Sequence, residues 1–438
     1  MNTRHAVAVV DRLRDRLGLA ETGSWSDDHL TAFLRYEDDP AVHRGLREAV
    51  YRRRLALVAD LLPSHLDTAT PTVRRDCLAL LDLLADSPRT LLQDVLSLPG
   101  VEPWLAARPT EISAAGLGGL LAAAQCGRTE PVVPWSGVVA PLHLGRLVVS
   151  GGIGTVTVTE DGATRITTSG GTVEFDPLLM LRETAQPMIS GTTLSFVLPQ
   201  TRHSGFVLDG FDTRLTDGAL PIERLDSGQP RARTWVELVD SASCLLSFLD
   251  AAAGNQVDRT LRVLVPHHQP DGRRFGLPQR EMISSTEEST VGAFGISLGD
   301  EKPLRIAEAM VHEHARTRLR ILLWERALHG PDRARYDTPW HRDPVPISGL
   351  VSGIAAFTLV SSFHHAAWAT VAEHRWPTER LGARAPAEVD LARATISRSA
   401  EVLRVIGRAL SGDELLPFGR RFLSMAYDVV SARRADHP

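Results

Sequence analysis

The feature that most constrains the fold is a change of texture near residue 130. From residue 4 to about 125, apolar side chains recur at helical spacing, as in Val10, Leu13 and Leu17 and again in Leu78, Leu80, Leu81 and Leu84. The stretch that follows, VVPWSGVVAPLHLGRLVVSGGIG, is rich in Pro, Gly and Val, which ends the helical pattern and opens a β part. Between about 144 and 210 the segments LGRLVVS, GTVTVT, ATRITTS, TVEFD, TLSFVL and SGFVLD alternate β-branched with polar residues. Glu160-Asp161-Gly162 and Ser169-Gly170-Gly171 stand where hairpin turns belong, so this reads as antiparallel sheet. The glycines of SGGIGT are followed by no helix, so they lack the helix N-terminus that a phosphate-cradling loop requires.

After residue 233 the pattern alternates. WVELVDSASCLLSFLDAA reads as a helix, TLRVLVP (260–266) and TVGAFGISL (290–298) as buried strands. Asp300 offers an N-cap and Pro303 stands in the first turn of a helix that runs to Leu328, where Gly330-Pro331 stops it. A Pro-rich loop, YDTPWHRDPVP, leads to a strongly apolar helix from Ile347 to about His374, and two amphipathic helices follow over 386–411 and 413–433. A chain of 438 residues accommodates more than one core. The expected organisation is α+β: a helical N-terminal region over 1–130, a β-rich region over 131–232, and a C-terminal, largely helical part over 233–438.

The Pro303 helix carries the chemistry. Its segment AEAMVHEHARTRLRILL contains His312, Glu313, His314, Ala315 and Arg316, an H-E-x-x-H pattern in which arginine stands at the second histidine. Histidines four apart on a helix share a face and one metal ion, with the glutamate reaching a bound water. A guanidinium does not ligate, and His314 lies roughly 200° around the helix from His312. Glu308 shares the His312 face, giving a stripe of Glu308, His312 and Arg316. Two readings stay open: a metal site of Glu308 and His312 completed from elsewhere, or an ion-pair ladder without metal.

From about 258 to 376 the chain resembles the α-ketoglutarate-dependent HExxH-type peptide β-hydroxylases, a family found with ribosomally made, post-translationally modified peptides. The resemblance rests on serial order: RVLVP, SSTEESTVGAFGISL, LRIAEAMVHEHARTRL, RYDTPWHRDPVPISGL and VSGIAAF. It implies an Fe(II) enzyme that uses dioxygen and α-ketoglutarate to hydroxylate a β-carbon of a ribosomal precursor peptide. His312 matches the family's first histidine and Glu313 its glutamate. Arg316, Ser352 and Val345 depart from the pattern, at the second histidine, at a later histidine and at an arginine between two prolines. In the hydroxylase reading the metal falls to His312 with Glu308, or with a histidine among His341, His364 and His365, the catalytic step to Glu313 and Arg316, and the cofactor to His341 and Arg342. A metal-free, non-catalytic peptide-binding partner of such a pathway and a zinc metallopeptidase with Glu313 as general base are the alternatives.

Other candidates have plainer readings. Trp340 packs on the core while His341, Arg342 and Asp343 face water; His364 and His365 sit on an apolar helix as core or boundary residues; His267-His268 faces solvent. Cys77, Cys126 and Cys244 match no disulfide or metal spacing and are expected to be reduced. Of 48 basic residues only Lys302 is lysine, a bias of base composition, and a net charge of −5 gives no footprint for nucleic acid or an acidic membrane. No signal-peptide segment and no apolar run of about 18 residues is evident, which leads to the expectation of a cytoplasmic location without membrane contact. Nothing in the pattern sets an oligomeric state.

Overall fold

The computed structural model describes residues 25–68, most of 88–106, seven strand segments between 133 and 197, and most of 201–435, with its longest gaps at 210–220, 269–283, 298–302 and 378–387. The described residues are mostly helical with a small mixed sheet, an α+β fold. Asp300, Cys77 and Cys126 lie outside the described residues; Cys244 forms no disulfide among the described residues.

The N-terminal part contains α1 (Asp27–Arg35), α2 (Pro40–Thr68), α3 (Arg89–Leu96) and α4 (Val101–Ala106). Ser26 caps α1 by accepting from His29 N–H at 3.2 Å, and Tyr36 ends it in a left-handed conformation at φ 63°. Arg54 of α2 is fully buried, and its guanidinium donates to the carbonyls of Leu96 and Val291 at 2.6 and 3.3 Å, tying α2 and α3 to the C-terminal part.

Strands β1 (Val133–Ser136), β3 (Ile153–Val158), β4 (Thr164–Thr168), β5 (Gly171–Phe175) and β6 (Met188–Ser190) form an antiparallel sheet in that order. β2 (Arg146–Val149) pairs antiparallel with β7 (Leu194–Val197). β3 and β4, and β4 and β5, pair antiparallel in sequence order; the expected turn residues Glu160-Asp161-Gly162 and Ser169-Gly170 lie outside the described residues, and Gly171 opens β5. SGFVLD, however, does not extend this antiparallel sheet. Its core, β8 (Val207–Leu208), runs parallel to β9 (Val263–His267).

That second sheet has the order β10-β11-β9-β8, in which β10 (Ser284–Ser285) runs antiparallel to β11 (Ala293–Ser297) and β11 runs parallel to β9. Parallel strands need a long crossover, and between β8 and β9 it is supplied by α5 (Pro230–Leu249) and α6 (Ala251–Thr260). α6 was not expected; Asp250 restarts the helix by accepting from Ala253 N–H at 2.9 Å. β9 and β11 are buried at every position, which is why they read as unbroken apolar runs. His267 belongs to this interior: it is 1% exposed, contrary to the solvent-facing position expected for it, because β9 continues through it and pairs it with Ser297. His268 alone is exposed.

The remaining elements are α7 (Pro303–Glu325), α8 (Ile347–Ala372), α9 (Glu388–Ser411) and α10 (Pro417–Ala435). α7 and α8 run through two apolar clusters. One unites α1, α2, α9 and α10 around Leu319, Leu322 and Ile354. The other unites α5, α6 and the sheet around Ile306, Met310 and Val360. α8 is long and apolar enough to cross a membrane, against the expectation that no such run exists, and 72% of its most apolar window is buried inside the fold. α10 begins at Pro417 rather than 413, because Leu415 bridges to His329 instead.

Candidate functional site

α7 is buried on most of its circumference, so its polar residues are pressed onto one remaining strip. Glu308, His312, Arg316 and Arg320, at intervals of four, are all half-buried, while Ile306, Met310, Val311, Ala315 and Leu319 face the core. The stripe expected from Glu308, His312 and Arg316 is therefore a physical surface, and Arg320 lengthens it.

Its wiring differs from a simple ladder along the helix. Glu308 accepts from Arg305 at 2.6 Å and faces His364 Nε2 of α8 at 3.5 Å. Glu313, one residue off the stripe and fully buried, gathers the rest. Its Oε1 accepts from Ser284 Oγ at 2.7 Å and meets His312 Nδ1 at 3.0 Å, and its Oε2 meets Arg316 Nη1 at 3.5 Å. Burial pushes the Glu313 carboxyl up, but the His312 hydrogen bond, the charges of His312 and Arg316, and Ser284 outweigh it and hold the group at about 2. Burial also opposes ionisation of Glu308, and His364, Arg305 and Arg398 together bring it to about 2. Both carboxylates are thus ionised, and each has an arginine and a histidine beside it.

Across the stripe stands an aromatic shelf. The Phe357 ring of α8 lies 5.3 Å from the His312 ring and 4.7 Å from the Trp340 ring, and the Arg398 guanidinium of α9 sits 4.6 Å over it. Trp340 packs against the core cluster and fits where Gly353 has no side chain; a Cβ there would stand 2.3 Å from its Nε1. His341, Arg342 and Asp343 are exposed. His341 is brought near the stripe, since partial burial and the charges of Arg316 and His312 lower its pKa. Arg342 has no contact with the stripe among the described residues.

The loop bearing these residues is held from outside. Tyr336 and Val345 exchange both backbone hydrogen bonds, at 2.8 and 2.9 Å. Glu414 accepts from the Tyr336 hydroxyl at 2.6 Å and from the backbone N–H groups of Arg333 and Ala334 at 2.8 and 2.9 Å. The hydrogen bond to Glu414, with burial, raises the Tyr336 pKa to about 12.

No family model and no curated protein matches the chain.

The arrangement can be tested against the iron site that the resemblance implies. Iron of this chemistry needs three protein ligands meeting at one point, and among the described residues no three His, Cys, Asp or Glu side chains meet in this way. Glu308 is engaged by Arg305 and His364, and the Arg316 guanidinium stands where the second histidine would be. These residues do not fit the group, and no step through iron follows from them. Sequence reasoning missed Ser284, Phe357, Arg320 and Arg398. Only Arg320 carried a signal, as the next member of the four-residue spacing.

Proposed function

We propose that this chain is a metal-independent peptide-binding protein of a pathway that modifies ribosomally made peptides. The observation that carries this reading is the engagement of both acidic residues of the HExxH-like helix by neighbouring side chains: Glu313 by Ser284, His312 and Arg316, Glu308 by Arg305 and His364. Carboxylates so paired are structural anchors for a surface rather than open ligands. Beside them the Trp340–Phe357 shelf and the cationic groups Arg316, Arg320 and Arg398 offer an apolar platform with positive flanks. An extended peptide carrying aromatic and acidic side chains suits such a surface. The peptide as partner comes from the resemblance over 258–376, and α-ketoglutarate has no part in this reading.

The test is binding of a ribosomal precursor peptide, measured with chelator and again after anaerobic reconstitution with Fe(II) and α-ketoglutarate. The expected result is the same affinity in both, loss of affinity in Phe357→Ala, and no mass change of the peptide. Stoichiometric iron that disappears in His312→Ala, or a metal-dependent mass increase of the peptide, overturns the proposal in favour of the hydroxylase.

A further inference from the structure

On the buried side of α7, His314 and Arg318 lie four residues apart and are 0% and 1% exposed. The Arg318 guanidinium sits over the rings of Phe33 and Tyr36, its Cζ 4.3 and 5.2 Å from their centroids. Among the described residues none of its three nitrogens has a hydrogen-bond partner. The other deeply buried guanidinium, that of Arg54, donates to two backbone carbonyls. Arg318 has no such acceptor.

His314 adds a second orphan. Its Nδ1 makes a short contact with the Tyr36 hydroxyl, and its Nε2 has no partner among the described residues. The same hydroxyl also lies 3.5 Å from Val311 O, the longer and weaker of its two contacts. With the phenol donating along the shorter contact to Nδ1, the imidazole proton stands on Nε2. Both orphans, drawn together against Tyr36, are donors.

No described side chain supplies the missing negative charge. Burial raises the Tyr36 pKa, so the phenol is neutral. His314 is driven well below its ordinary value by burial and by the charges of Arg318 and His43, so it is neutral too. His43 of α2 is bound to Asp38 at 2.9 Å, and Asp38 also takes Arg259. A guanidinium does not give up its proton in a protein. An unpaired cation in such surroundings carries a desolvation penalty that ring faces offset only in part.

We propose that Arg318, with the His314 Nε2–H, holds a small monovalent anion of the halide class, chloride under ordinary conditions, as an internal counter-ion. A single negative charge balances the single cation. The near-complete enclosure of both residues favours a monatomic ion over a carboxylate or phosphate. The ion would fasten the left-handed turn at Tyr36, whose carbonyl already accepts from Gln256 Nε2 at 2.6 Å, onto the middle of α7.

The test uses the full chain dialysed into gluconate and titrated with chloride or bromide at constant ionic strength. Binding to the folded state alone raises the unfolding temperature with halide concentration. The wild type is expected to show this rise, and Arg318→Met to show none. Crystals grown in bromide are expected to give an anomalous peak within hydrogen-bonding distance of Arg318. That peak is read on the wild type, so it decides the matter even where the variant fails to fold. A halide-independent wild type, an equal rise in Arg318→Met, or water alone at the position overturns the proposal.

Discussion

Ser284 Oγ donates to Glu313 Oε1 at 2.7 Å, and this bond joins the short edge strand β10 to the middle of the central helix α7. The same oxygen meets His312 Nδ1, so one buried carboxylate fixes both a strand and the orientation of the imidazole on the half-open stripe.

Glu313→Ala removes the anion from between His312 and Arg316 and leaves Ser284 without its acceptor. The expected loss is about 3 kcal/mol, the scale for breaking a buried charge pair. Ser284→Ala deletes one bond to a charged group and costs about 1.5 kcal/mol. Because the two residues touch, the double variant is expected to lose less than the sum. Urea denaturation of the four proteins measures this; strict additivity counts against Glu313 as the hub.

Asp258 lies half-buried in the last turn of α6, where the helix dipole also disfavours an anion. Burial raises its pKa from 3.8 to about 7. The folded state then binds the proton more tightly than the unfolded chain, so this contribution is full below pH 3.8 and is lost as pH rises through about 7. Asp258→Asn is therefore expected to raise the unfolding temperature more at pH 8 than at pH 4.5. Parallel pH profiles for variant and wild type refute this.

Gly353→Ala places a methyl against the indole of Trp340. The obstruction is a side chain, so the ring moves rather than the backbone, and the expected cost is about 1–3 kcal/mol, the usual range for overpacking. Tryptophan emission should shift to the red as Trp340 leaves the Phe357 shelf, and affinity for the precursor peptide should fall with it. An unchanged spectrum removes the close packing from the account.

Glu414→Ala takes away three hydrogen bonds that hold the loop at Arg333, Ala334 and Tyr336. Faster limited proteolysis between residues 332 and 345 is the expected outcome, with little change in global unfolding. Glu414→Gln, which keeps the acceptor oxygen, is expected to restore part of the protection.

The α+β class was legible because periodicity reports burial locally: α7 and α8 bury most positions and β9 buries all of them. The parallel sense of β8 and β9 was not, since it depends on a crossover rather than on either strand's residues. α6 escaped notice because only a few of its positions are buried and its start depends on one cap, Asp250. Likewise, spacing along α7 revealed the stripe of Glu308, His312 and Arg316, but not its wiring. Ser284, Phe357 and His364 come from other elements, and no one-dimensional pattern announces which of them meets Glu313 or Glu308. For the same reason the burial of His267 was missed, because its cover is supplied by β11.

That cover has an evolutionary consequence. A Cβ on Gly295 would stand 2.2 Å from His267 Nε2, so strand β11 carries no side chain where the imidazole of β9 needs room. Related sequences should therefore show glycine at 295 wherever histidine stands at 267. A lineage that exchanges both is expected to shrink the histidine first, because the reverse order passes through an ancestor whose buried imidazole must be pushed off the neighbouring strand.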